Sequence, residues 1–411
     1  MDKITIRKEI GIKDRFDVVV AGGGVAGCAA AVSAAREGKR TLLIEKNITL
    51  GGLATSGLVN WFVPSDDGRG TKVTRGIYDE MFSLAVTQGY DSVPDEWKEC
   101  DRPGPGAKTR FVSAFSANIF TLRLTKWLRD EGVAVLFDTL VTDAVMKDGC
   151  CEAIVVENKS GTECYSGKVF IDSTGDADLL FRAGVPTVQG RNYHTFYGTL
   201  SDLESCRAAA EQGDIRLMYK RHVFGGGSDL DGNGHPGGMP FWLGTSGEDV
   251  SRYVTENHVE LLGKLSGERR TRDVSELPHM VQLRTTRRID GDYTLTENDV
   301  FRHFPDSVSA MGDFDRPGPL YEIPYRVMVK SGFRNLIAAG RTTSGSGYGW
   351  DLLRVIPPAV ATGQAAGIAA AISADDGVPV TEIDVSELQR ALVSRGAVIH
   401  FDKPPDGPDD E

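Results

Sequence analysis

The hydrophobic pattern opens with a short run, Phe16 to Ala21 (FDVVVA), apolar but for Asp17. Such a run predicts a strand buried on both faces of a parallel sheet. Gly22-Gly23-Gly24-Val25-Ala26-Gly27 follows at once. A small-residue helix then runs from Val25 to about Glu37 and closes on Gly38, a residue suited to the left-handed turn after a helix. Arg40 to Glu45 (RTLLIE) reads as a second strand ending on an acid. Together these make a complete βαβ opening.

Further along, Gly51-Gly52-Leu53-Ala54-Thr55 is a second glycine-rich turn, and residues 61–110 read as irregular structure or a small insertion. Asn118 to Asp130 has helical apolar spacing (Ile119, Leu122, Leu124, Trp127, Leu128). Val133–Phe137, Val141–Met146 and Ala153–Glu157 read as strands separated by turn signals, and Val169–Asp172 as another that runs into Ser173-Thr174-Gly175-Asp176. From about 190 to 282 the pattern changes, with glycines clustered at 224–239 and an amphipathic helix predicted over 248–265. Leu336–Ala339 is again a strand. A Ser/Gly loop (342–349) precedes a helix from Ala359 to about Ser373, with Pro357-Pro358 marking its start. Ser386-x-x-Gln389 predicts a capping box for one last surface helix.

The expected architecture is α/β. A discontinuous, three-layer Rossmann-like domain takes 1–60, 111–187 and 283–376. A smaller α+β cap or substrate domain takes 188–282 with the insertion 61–110. A C-terminal helix at 377–401 and a disordered acidic tail at 402–411 follow.

Composition narrows the partners. The 411 residues carry a net charge of −12, and the sequence pI near 5.2 disfavours a nucleic-acid backbone. Arg269, Arg270 and Arg272 alternate with Glu268 and Asp273, which reads as a solvated loop. Six cysteines form no C-x-x-C pair and no zinc spacing, so no metal site is expected. Residues 1–15 lack the apolar stretch of a signal peptide, and no run is long enough to span a bilayer. A cytoplasmic location without membrane or nucleic-acid partners is the expectation.

The glycine spacing carries chemistry because its context is right. Gly22 permits the tight turn, Gly24 lets backbone approach a pyrophosphate, and Gly27 lets the helix pack on the strand. The helix N-terminus offers free N–H groups to the phosphates. Glu45, eighteen residues past Gly27, is placed to bind a ribose hydroxyl pair. Cys28 reads as a small core residue.

GGGVAG with Glu45-Lys46, GGLATSG, FIDSTGDADLLFRAGVP, NLIAAGR and RVIPPAVATGQAAG together resemble the FAD-dependent oxidoreductases of the glutathione-reductase structural superfamily. The resemblance runs from Phe16 to about Ile399 and is weakest over 190–280; fumarate reductase and succinate dehydrogenase flavoproteins are more distant. It implies non-covalent FAD, with Gly22, Gly24, Val25, Ala26 and Gly27 at the diphosphate turn, Glu45 and Lys46 along the adenosine, and Gly52 and Thr55 near the flavin. It also implies Val141 at the adenine, Thr174 and Gly175 closing over the adenosine side, Gly340 and Arg341 by the ribityl chain, and Ile356, Ala359 and Val360 at a helix aimed at the flavin.

The redox cysteine pair of thiol–disulfide reductases is missing from GGLATSG, and no second G-x-G-x-x-G follows a strand. For the chemistry, Arg354 resembles a substrate-carboxylate arginine of fumarate reductase; an ion pair with Asp351 is the competing reading. Arg287 could face substrate or form a structural pair. His235 and Tyr348 are candidate proton-handling and pocket-wall groups, set against ordinary packing; Arg284, Arg288, His194, Tyr325 and Trp350 are candidates beside them. The implied function is hydride transfer between a small organic substrate and flavin N5, with an external acceptor or oxygen. Alternatives are C=C reduction of the fumarate-reductase type, a non-redox flavin-fold binding protein, and thiazole-synthase-like use of NAD. The sequence does not set the oligomeric state.

Overall fold

The computed structural model describes residue 4 and residues 7–227, 232–266 and 270–402. The acidic tail beyond 402, Glu268 and Arg269, and part of the glycine cluster at 224–239 lie outside the described residues. β1 (Ile12–Ala21) pairs in parallel with β2 (Thr41–Ile44) and with the strand Gly161–Asp172, bringing Ala21 opposite both Ile44 and Asp172. Leu336–Ala338 adds in parallel beside Asp172, and Ala134–Leu136 beside β2. Cys150–Asn158 and Leu140–Lys147 complete a seven-stranded sheet through antiparallel pairs. Because three parallel strands end together, the turns after Ala21, Asp172 and Ala338 meet at one edge of the sheet, where α/β proteins hold ligands.

Several strands are longer than their apolar patterns predict. Gly161–Asp172 spans twelve residues, yet only its last four are buried in an unbroken run. Its outer part carries polar residues that pair in the ladder but face solvent, so hydrophobicity marks only the doubly buried segment.

α1 (Val25–Arg36) lies against the long helix Ile356–Asp376, and both are buried along most of their length. Small residues make that possible. A Cβ on Gly363 would sit 2.3 Å from the Ala26 carbonyl oxygen, and one on Gly367 2.2 Å from that of Ala30. The long helix starts at Ile356 rather than Ala359, because Pro357 and Pro358 occupy its first turn. A separate helix, Tyr348–Arg354, precedes it and takes in the last two residues of the Ser/Gly loop. Among the described residues no single helix is long and apolar enough to cross a membrane; these two pass only as a pair bent by 72°.

A second, three-stranded antiparallel sheet (Lys220–Gly227, Thr195–Asp202, Arg272–Glu276) carries its own apolar cluster of Phe196, Trp242, Tyr253, Leu261 and Leu283. The helix Gly247–Lys264 covers it. Residues 61–110 do not join this unit as expected. They form the helix Ile77–Val86, and Phe62, Tyr78, Met81 and Trp97 enter the same core as α1. Phe62 lies 4.7 Å from Phe115 and 4.9 Å from Phe82, ring centre to ring centre. Polar punctuation hid this helix from the sequence pattern. The capping expectation at the C-terminus also shifts. Asp384 caps the helix Val385–Ser394, its carboxylate accepting from the Ser386 N–H at 2.9 Å, while Gln389 donates to the Pro305 and Ser307 carbonyls.

Candidate active site

A cavity of about 610 Å³ opens where the three parallel strand ends meet, and the smaller sheet forms its far wall. Its first corner is the turn after β1. Gly22 has φ +100°, and a Cβ there would collide with Ser173 backbone at 2.5 Å. Ser173 seals the junction, its hydroxyl reaching the Ala21 and Gly22 carbonyls at 2.9 and 2.8 Å. Gly27 does not line the cavity; a Cβ on it would sit 1.9 Å from the Gly22 oxygen, so its bareness serves packing. Gly24 is different. A Cβ there meets nothing within 4 Å, because it faces the open cavity. α1 begins at Val25 with no side-chain cap and no acid in its first turn, leaving positive N–H groups for an anion.

Glu45, at the end of β2, is buried and lines the same corner. Its Oε2 accepts from the Gly23 N–H at 2.6 Å, and its Oε1 from the Asn47 backbone N–H at 2.8 Å and its side chain at 2.9 Å. The acid therefore stiffens the glycine turn while its oxygens keep lone pairs for a ligand. Lys46 and Val141 also line the cavity. Cys28 packs beneath, its thiol on the Gly23 carbonyl and pushed upward by burial, which makes it inert.

The second glycine turn sits against the first through a bridge between Gly24 and Gly51. Gly52 faces the cavity, whereas Thr55 does not. The Thr55 hydroxyl donates to the Leu50 carbonyl at 2.6 Å and braces Gly51 from behind. The third corner joins residues 172–176 to 340–341. Thr174 and Gly175 line the cavity, and Thr174 is held by Asp172 through its N–H and hydroxyl at 2.9 and 2.8 Å. Burial pushes the Asp172 carboxyl up to about 6 despite these donors.

Arg341 clamps this corner. It donates to the Gly175 and Leu283 carbonyls and pairs with Asp176 at 2.7 Å. Burial alone would raise Asp176; the charges of Arg341 and Lys46, with hydrogen bonds from Thr286 and Arg341, outweigh it and hold the carboxyl below its ordinary value. Gly340 (φ +76°) abuts Ala26. Ile356 and Ala359 bring the start of the long helix to the cavity, while Val360 turns into the core.

The predicted catalytic residues divide. Arg354 lines the cavity and also pairs with Asp351 through Nε at 2.5 Å, so the ion pair is present and the side chain still borders the cavity. Arg287 does not line it. Its guanidinium donates to the Asp176 carbonyl, pairs with Asp178 at 2.7 Å and covers the Phe181 ring at 4.0 Å, which makes it structural. His235 is also outside. Its Nδ1 accepts from the His194 N–H at 3.0 Å and its Nε2 meets the Met239 carbonyl at 2.9 Å. An N–H can only donate and a carbonyl only accept, so Nδ1 serves as acceptor and Nε2 as donor, and both ring nitrogens are used. Tyr348 turns away too, bonding Asp313 at 2.6 Å beneath Arg316; burial and that carboxylate push its phenol upward.

Thr195, Tyr197 and Gln282, unassigned from sequence, complete the far wall with Arg284. Gln282 ties the sheets together, accepting from the Tyr197 N–H and donating to the Gly57 carbonyl at 2.8 Å. Burial and then the charge of Arg354 lower the pKa of Arg284, and both arginines line the cavity. No local pattern marks Gln282 or Tyr197.

A family model described as FAD dependent oxidoreductase matches residues 17–225 and 246–392. The tRNA uridine 5-carboxymethylaminomethyl modification enzyme MnmG of Geobacter sulfurreducens is 28% identical over 235 residues, covering 54% of this chain and 33% of that enzyme. The enzyme of the same name from Geotalea uraniireducens is 29% identical over 170 residues, or 39% of this chain and 24% of its own. The chain thus matches a third or less of the length of these curated relatives. Among solved structures, p-nitrophenol 4-monooxygenase PnpA from Pseudomonas putida DLL-E4 superposes with a TM-score of 0.50 at 13% identity, covering 93% of this chain and 85% of that one. This likeness is one of fold.

Proposed function

The chain belongs to the FAD dependent oxidoreductase family, and from that premise we propose that it holds FAD non-covalently in the cavity and exchanges a hydride with a small anionic organic substrate, an external acceptor or oxygen closing the cycle. The residues present suit the cofactor. Gly24 leaves open space, and the uncapped start of α1 offers N–H groups at Val25 and Ala26 for a diphosphate. Glu45, Lys46 and Val141 take the adenosine end; Gly52, Gly340, Ile356 and Ala359 take the other. The start of the long helix carries no acid, so its positive end favours negative charge there. Bound FAD supplies reversible two-electron chemistry; the chain supplies position and field.

The observation that carries the substrate reading is the pair Arg284 and Arg354 on one wall of the cavity. The charge of Arg354 disfavours that of Arg284, so a carboxylate or similar anion bound beside them relieves the repulsion. The test is a titration of the purified flavoprotein with small carboxylates and their neutral amides, followed by the flavin absorbance. Carboxylates should perturb the spectrum saturably, and Arg284→Gln or Arg354→Gln should abolish the effect. Equal response to the amides would refute an anionic substrate.

A further inference from the structure

Away from the cavity, His303, Glu322 and His400 converge, with one ligating atom from each lying within 4.8 Å of the others. Glu322 stands on the strand Leu320–Pro324 and is completely buried. Its Oε2 accepts from the Phe304 N–H at 2.7 Å. That bond fixes the carboxylate and aims Oε1 at both imidazoles, 2.6 Å from His303 Nδ1 and 2.9 Å from His400 Nδ1. No lysine or arginine among the described residues neutralises this acid; its ionic partners are the two histidines. A buried carboxylate requires a counter-charge.

We propose that His303, Glu322 and His400 form a binding site for a divalent transition cation of the zinc type. Two imidazole nitrogens and one carboxylate oxygen are the ligand set of open zinc sites, with a fourth position left for water. Both histidines are partly exposed, so the open position faces solvent and the ion has an entry path. Zinc bonds of about 2.0–2.2 Å require the ligands to part by a few tenths of an ångström, a movement open to exposed histidines. The Phe304 bond is the outer-shell contact such sites use to orient a ligand. Sequence spacing conceals the site, because its members are 19 and 78 residues apart. The ion would also pin the C-terminal stretch, whose Val398 carbonyl accepts from the Ala310 N–H at 2.7 Å.

The experiment is calorimetric titration of zinc chloride into untagged, chelator-treated flavoprotein, with His303→Ala, His400→Ala, Glu322→Gln and, as a control histidine elsewhere, His258→Ala. The expected result is one ion per chain, with affinity weakened about tenfold or more in each site variant and unchanged in His258→Ala. Flavin content reports folding of every variant. Absence of saturable binding, or binding that survives His303→Ala with His400→Ala, overturns the proposal.

Discussion

Arg341 sets its Nη2 2.7 Å from Asp176 Oδ1, joining two turns 165 residues apart, and both side chains are nearly buried. The pair ties the turn after the strand end at Asp172 to that after Ala338, so it holds the third corner of the cavity together. Removing the arginine strands a buried carboxylate, a change that costs about 3–5 kcal/mol. Arg341→Ala should therefore lower the urea midpoint substantially and reduce bound FAD. An unaltered midpoint would show that the pair is not a clamp.

Gly24 and Gly27 belong to one motif and should fail differently. Gly24→Val places a side chain into open space at an unstrained φ of −67°. That protein should fold with near-normal melting and emerge colourless. Gly27→Ala drives a Cβ to 1.9 Å from the Gly22 oxygen, so it should unfold earlier by about 1–3 kcal/mol. Flavin absorbance and thermal melting on the two variants separate ligand space from packing space; matching losses in both would contradict this division.

Much of this corner was legible in the sequence, for a physical reason. The last four residues of β1 and all four of β2 are buried, so their apolar runs stand out, and Gly22, Gly24 and Glu45 follow within one local unit. Catalytic assignment fared less well because it depends on facing. Tyr348 and Arg354 share a seven-residue helix, and six positions at 3.6 per turn separate them by about 120°. One therefore reaches the cavity and the other Asp313. Arg287 offered the right charge, but Asp178 lies beside it after folding. The far wall at Tyr197, Gln282 and Arg284 comes from contacts across the smaller sheet, which no local pattern encodes.

Asp172 predicts a pH signature. Its folded carboxyl is pushed up to about 6 from 3.8 by burial. The folded state then binds more protons than the unfolded state between those values, so stability is fully present below 3.8 and is lost as pH rises through 6. The loss is about 3 kcal/mol. Denaturant unfolding of wild type and Asp172→Asn from pH 4 to 7 should give a stability difference that moves toward the wild type as pH falls. A flat difference would place the group at its ordinary value.

Arg354 is the sharpest case, since it pairs with Asp351 and borders the cavity at once. Its Nε holds Asp351 at 2.5 Å, three residues earlier in the same helix, while the side chain also lines the cavity beside Arg284. A local pair of this kind is worth about 0.3–0.5 kcal/mol in an exposed helix and somewhat more when partly buried. Its loss alone should scarcely move folding. Arg354→Lys keeps the charge and removes the forked geometry that grips a carboxylate with two N–H groups. The expected outcome is FAD content and melting within a degree or two of wild type (about 0.5 kcal/mol), with turnover of the anionic substrate reduced by about two orders of magnitude, as for the loss of one charge-stabilising donor. Asp351→Asn is the internal control. It frees Arg354 without removing it, so turnover should fall far less than in Arg354→Lys. Should the asparagine variant lose as much activity as the lysine variant, or should Arg354→Lys shed its flavin, the arginine acts by holding Asp351 and the carboxylate must bind elsewhere.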